Sequence, residues 1–291
     1  MQTIQRCIAI SIVLILFVAM KTDKPAYRLF NQKGKSTTYA ELLKDAGKAD
    51  IVFFGELHDV SICHWLEFEL MKDLHEIKGK NLILGAEMFE SDNQLIVNEY
   101  LAGKVKDKNF ESEARLWPNY KTDYKPLLTF ARDSSLRFIA TNIPRRYAAL
   151  VNRGGFELLN SLDPKAAEFI APMPVKFDPE LPCYRDIVKN MGDAPSHVTS
   201  NISKAQAIKD ATMAHFILQN LEPGKTFLHF NGTYHSDNFE SIVWYIRQVK
   251  PDLRILTLST VEQDTMEELD EANKGKGDYI LLIPKSMTRT Q

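Results

Sequence analysis

Cysteine is scarce in this chain, with three in 291 residues, at positions 7, 63 and 183. So few thiols in so long a chain do not make a disulfide framework. Cys63 and Cys183 are therefore expected as two unpaired, partly buried thiols. A charge imbalance is lacking too. Thirty-six basic side chains stand against 38 acidic ones, a formal net charge of −2, which gives no broad electrostatic pull toward nucleic acid or anionic lipid. No segment repeats at a fixed period, which excludes solenoids and arrays. There is no G-x-S-x-G, so the nucleophile elbow of an ordinary α/β-hydrolase is missing. There is no G-x-G-x-x-G and no G-x-x-x-x-G-K-[ST], which argues against dinucleotide and P-loop nucleotide binding.

One long apolar run is present, Ile8 to Met20, behind Arg6. At ~1.5 Å per residue it makes about 20 Å of helix, short of the about 20 residues that a membrane span needs. A basic start, this run and the polar continuation Lys21 to Pro25 read as a secretory signal peptide over residues 1–20. The alternative is an uncleaved anchor. Export places the chain in the periplasm or cell envelope. A lipoprotein is not supported, because Cys7 precedes the run and no lipobox cysteine follows it.

In the remainder, residues 21–291, short β-branched and aromatic runs alternate with helical stretches. The runs are Asp50 to Phe54, Asn81 to Ala86, Arg137 to Thr141, Thr226 to Phe230, Leu253 to Leu258 and Tyr279 to Ile283. Near-continuous apolar strands separated by helices predict an α/β fold: a mainly parallel sheet with flanking helices and a helical cap inserted between strands. The cap is expected over about 92–135 and 145–222. Within it, Pro172, Pro174, Pro179, Pro182 and Pro195 predict a loop or lid over 171–202, and a helix follows over 203–221. Another helix is expected over 238–248. No linker divides this single domain.

Ligands of open parallel sheets bind at the carboxyl ends of the strands, so the residues after each run are the informative ones. They are Gly55-Glu56-Leu57-His58, Glu87, Asn142 to Arg145 and Gly232-x-x-His235. Glycine allows a sharp turn off the strand, and a histidine three positions on can point back over the sheet. His58, Glu87 and His235 match the ligands of a divalent metal such as zinc or manganese. They also match a metal-free site with an imidazole base, oriented by Glu87. Glu56 and the same three residues are the catalytic candidates if the protein is an enzyme. A structural alternative is a salt bridge from Glu56 or Glu87 to Arg145. His64 reads as a packed histidine on an amphipathic helix. Gln206, Asp210 and Met213 share a helix face, from which Asp210 is placed to support a histidine.

Phe54-Gly-Glu-Leu-His58, Gly85-Ala-Glu-Met-Phe89, Asn142-Ile-Pro-Arg145, Gln206-x-x-x-Asp210-x-x-Met213-Ala214 and Gly232-x-x-His235 together resemble the ChaN-like haem-binding uptake family. That family belongs to the Tiki/TraB superfamily, whose metalloprotease members use paired G-x-x-H motifs and a glutamate. The resemblance covers roughly residues 48–260. It implies export, an α/β core with a helical cap, and a role in haem or iron acquisition, with a cell-envelope transport partner. It carries Gly55, Glu56, His58, Glu87, Arg145, Asp210 and His235 as motif positions. Haem contacts are expected from Arg145, Asp210, Tyr184 and Tyr124. Tyr120, Met173, Met191 and His197 are further iron-ligand candidates. Three functions follow as expectations: haem binding, metal-dependent hydrolysis by a peptidase or esterase, and metal-free hydrolysis.

Overall fold

The computed structural model describes residues 24–190 and 196–290, with the backbone alone at 190 and 196–200. The expected signal peptide and the side chains of Met191 and His197 lie outside the described residues. Among the described residues the strands are β1 (Arg28–Asn31), β2 (Ser36–Thr37), β3 (Ile51–Glu56), β4 (Leu82–Glu90), β5 (Arg137–Asn142), β6 (Thr226–Gly232), β7 (Ile255–Gln263) and β8 (Tyr279–Pro284). The α-helices are α1 (Tyr39–Ala46), α2 (Ser61–Lys78), α3 (Gln94–Leu101), α4 (Asp107–Glu113), α5 (Lys125–Asp133), α6 (Arg145–Gly154), α7 (Pro182–Asn190), α8 (Ser196–Asn220) and α9 (Ile242–Val249).

All eight strands join one sheet in the order β2-β1-β8-β7-β3-β6-β4-β5. The six strands from β8 to β5 run parallel, and β1, antiparallel to both β8 and the edge strand β2, lies between them. The fold is α/β with a mostly parallel mixed sheet and flanking helices.

Alternation along each strand builds the two cores, because successive side chains point to opposite faces. Val52, Phe54, Leu84, Leu228 and Phe230 face one way and pack with Leu66, Leu70 and Leu74 of α2 and Leu127 and Leu128 of α5. Ile51, Phe53, Ile83, Ile139 and Phe227 face the other way and pack with Ala207, Ala211, Ala214 and Ile217 of α8 and Ile242 and Ile246 of α9. Each fully buried Leu, Ile or Phe contributes about 1.5–3 kcal/mol of transfer free energy. The alanines of α8 let that helix lie close against the sheet and bring buried Asp210 to its rim.

Three local expectations are revised. The segment expected as a loop or lid contains α7, and α8 begins at Ser196, seven residues before the expected start. The helix after β6 starts only at Ile242, because Asn238, Phe239 and Ser241 take φ of 58°, 60° and 51°. Cys63 and Cys183 are both buried and unbonded, and burial pushes each thiol up to about 12. Among the described residues no helix is long and apolar enough to cross a membrane.

Candidate functional site

The register of β3 with β6 pairs Gly55 with Asn231 and Glu56 with Gly232, so the two G-x-x-H segments leave the sheet side by side. On the other side of β6, Ala86 pairs with Phe230, which brings Glu87 to the same rim. Both motif glycines are required by close approach. A Cβ at Gly55 would stand 2.9 Å from the Leu258 carbonyl oxygen. One at Gly232 would stand 2.6 Å from His58 Nε2 and 3.5 Å from Glu87 Oε2. The His58 ring thus rests in the space that a side chain at 232 would fill.

His235 is buried between two carboxylates. Its Nδ1 lies 2.5 Å from Asp210 Oδ1 and its Nε2 lies 3.2 Å from Glu87 Oε1. Glu87 Oε2 accepts the Gly232 N–H at 2.8 Å, and Asp210 Oδ2 accepts the Tyr184 hydroxyl at 2.7 Å. Burial alone would strip the proton from His235, but Glu87 and Asp210 outweigh it and raise the imidazole to about 10. For Glu87, burial is overcome by His235 and His58, and the carboxyl is held below its usual range. Burial dominates at Asp210 and raises it. Both His235 nitrogens therefore carry protons and both are spent.

His58 is held differently. Its Nδ1 lies 2.6 Å from Glu56 Oε1, which also accepts the Tyr124 hydroxyl at 2.7 Å. Its side chain is 40% exposed, and the ring meets Trp117 edge-on at 4.8 Å. Burial lowers its proton affinity, yet the bond to Glu56 and the charges of Glu87 and Glu56 raise it overall. Asn119 donates to the His58 carbonyl at 2.8 Å. Tyr124 reaches Glu56 from a π-helical turn, Tyr120–Tyr124, a local form common at functional sites. In the layer below, His229 is fully buried, bonds Asn231 and Thr141, and is driven down to about 4 by burial.

Above this rim opens a cleft of about 1220 Å³, beyond the roughly 300–1,000 Å³ of most small-molecule pockets. Leu57, Leu116, Trp117, Ile143 and Ala148 give it apolar wall. Arg145 on α6 and Lys209 on α8 stand on its border, and the structure gives neither an ion-pair partner among the described residues. The salt bridge from Arg145 to Glu56 or Glu87 does not form.

The structure brings Glu56, His58, Glu87 and His235 to one rim, with Asp210 behind His235. His235 Nε2 and Glu87 Oε1 lie 3.2 Å apart, but among the described residues His58, Glu87 and His235 do not bring three ligand atoms within 4.8 Å of one another. Tyr124 and Tyr184 do not line the cleft; both are buried, with their hydroxyls on Glu56 and Asp210, so a ligand in the cleft meets neither phenol. Asp210 likewise acts on His235 and is fully buried. Tyr120 is buried too. Sequence reading missed Trp117 and Lys209 as cleft residues. It also missed Glu67, whose carboxylate lies 3.1 Å from His64 Nδ1; the His-x-x-Glu spacing on a helix was its signal.

A family model described as haem-binding uptake, Tiki superfamily, ChaN matches residues 42–246. ChaN of Campylobacter jejuni, whose structure is described as showing cofacial haem binding, superposes with a TM-score of 0.66 at 16% identity, covering 88% of this chain and 96% of that one. A Bacillus cereus protein superposes with a TM-score of 0.51 at 13% identity, covering 91% of this chain and 97% of that one. At such identities the likeness is one of fold. Protein RETICULATA-RELATED 5, chloroplastic, of Arabidopsis thaliana is 24% identical over 204 residues, 66% of this chain and 27% of that protein. The chain thus spans about a quarter of that relative's length. With more than half of its length matched by the family model, the chain belongs to the ChaN haem-binding uptake family of the Tiki superfamily.

Proposed function

We propose that this protein is exported to the periplasm or cell envelope and binds haem in the cleft above Glu56 and Gly232, in the service of haem and iron acquisition. One observation carries this reading: the donors that line the cleft are those a haem asks for. Haem presents an apolar disc, two carboxylates and an iron that takes an axial His, Tyr, Met or Cys. The cleft supplies Leu57, Leu116, Trp117 and Ile143 for the disc and Arg145 and Lys209 for the carboxylates. For the iron it supplies His58 Nε2, the nitrogen not bonded to Glu56. Glu56 on Nδ1 fixes the ring and its tautomer, as a carboxylate behind a ligating histidine does.

Arg145 adds support. It sits in the first turn of α6, where the helix dipole makes a cation unfavourable by about 0.3–1 kcal/mol. An anion bound beside it relieves that cost. When bound, the haem would supply an iron centre open to axial ligation. His58 would ligate and orient it, while Trp117 and Leu116 keep water from one side.

Hemin titrated into the chain lacking residues 1–20 should give a sharp, saturable Soret band. His58→Ala should shift that band and weaken binding by about tenfold or more, the cost of a lost ligand contact. A broad, non-saturating spectrum like that of free hemin would overturn the reading. A second reading rests on the same imidazole: His58, oriented by Glu56 in an open cleft, has the arrangement of a general base. It predicts ester or peptide hydrolysis that survives chelator and vanishes in His58→Ala.

A further inference from the structure

Behind His58, on the side of β3 away from the cleft, three ligand-bearing side chains meet in a closed space. Glu56, His64 and Glu67 each bring one ligand atom to within 4.8 Å of the others. His64 Nδ1 lies 3.1 Å from Glu67 Oε2 and 3.5 Å from Glu56 Oε2. Tetrahedral ligands held at about 2.0–2.2 Å from an ion stand ~3.4 Å apart, so these separations already match a shared ion. Both glutamates are fully buried, with 1% exposure or less. With both carboxylates ionised, Glu56 Oε2 and Glu67 Oε1 have no donor, so a cation or a proton has to lie between the two side chains.

The tautomer of His64 agrees. Its Nε2 lies 3.1 Å from the His58 carbonyl oxygen, which can only accept, and 3.4 Å from Asp123 Oδ2. Nε2 therefore carries the proton and donates it, which leaves a lone pair on Nδ1 facing the two glutamates. A backbone carbonyl or carboxylate on the far nitrogen is what metal-ligating histidines have. We propose that Glu56, His64 and Glu67 form a buried site for a first-row divalent cation of the zinc and manganese class, two carboxylate oxygens and one imidazole nitrogen being a donor set of that class. It shares Glu56 with the cleft wall, while His64 and Glu67 do not line the cleft and the ion does not depend on haem. In its absence a proton shared between the two adjoining carboxylates fills the same place, and cation entry displaces it to solvent.

The test uses untagged chain lacking residues 1–20, stripped with chelator and titrated with Co²⁺ alone. One equivalent should bind with a visible d–d band and release of a proton. Glu67→Gln should weaken binding by about a hundredfold or more. That variant keeps the shape and can donate an amide hydrogen bond to Glu56, so its near-UV circular dichroism and melting should match the parent. His64→Asn should lose the band as well. If the parent takes up no Co²⁺, or if Glu67→Gln and His64→Asn bind it as the parent does, the site holds a proton only and the proposal fails.

Discussion

His235 gives Nδ1 to Asp210 and Nε2 to Glu87, all three being buried. Such a group is stable only when complete, since removing one member leaves an uncompensated buried charge at about 3–5 kcal/mol. His235→Asn should therefore lower the urea-unfolding free energy by about that amount, and a loss below about 1 kcal/mol would show that the triad is not ionised. The residues at this rim differ in how far the sequence disclosed them. His58, Glu87 and His235 follow apolar runs directly, and in a parallel sheet that position is informative. Glu67 reaches the site from a helix, where only its His-x-x-Glu spacing marks it, and Tyr124 from a π-helical turn, where nothing local tells of its bond to Glu56. His229 alternates into the layer beneath, and reads as an ordinary strand residue.

At the scale of elements, α6 and α8 each bring to the cleft one cation, Arg145 and Lys209, that has no ion-pair partner among the described residues. Arg145→Ala and Lys209→Ala together should weaken hemin binding by about 5- to 20-fold, each partly exposed charge contributing at most ~1 kcal/mol. Hemin dimethyl ester, which lacks the free carboxylates, should bind the double variant and the parent alike; an equal loss for both compounds would show that these cations do not read carboxylate. The long central strands were legible because both of their faces are buried, which leaves an unbroken apolar run. The edge was not. β1 is four residues with half-exposed ends, and its partner β8 lies at the other end of the chain. The prolines of 171–202 suggested irregular chain, yet Pro182 opens α7, the one helical position where its missing N–H costs nothing.

For the whole molecule, the rim couples stability to pH. His235 has a folded value of about 10 against about 6.5 unfolded. Its contribution is complete below about 6.5 and is lost as pH rises through 10. Glu87 is depressed, so its contribution is present above about 4.3 and is lost as pH falls. Asp210, raised by burial, has the opposite sign and softens the acid limb. Urea midpoints should thus be highest in weakly acidic to neutral buffer and decline on the alkaline side. His235→Asn should flatten that alkaline decline, and an unchanged slope would exclude His235 as its source.

Glu56 stands in the wall between two chambers. One oxygen holds His58, which opens on the cleft, and accepts from buried Tyr124, and the other looks inward to His64. Exchanging this residue would disturb both chambers at once, so a loss of function at position 56 names neither. The informative substitutions lie to either side of the wall, His58 for what enters from outside and Glu67 for what is held within.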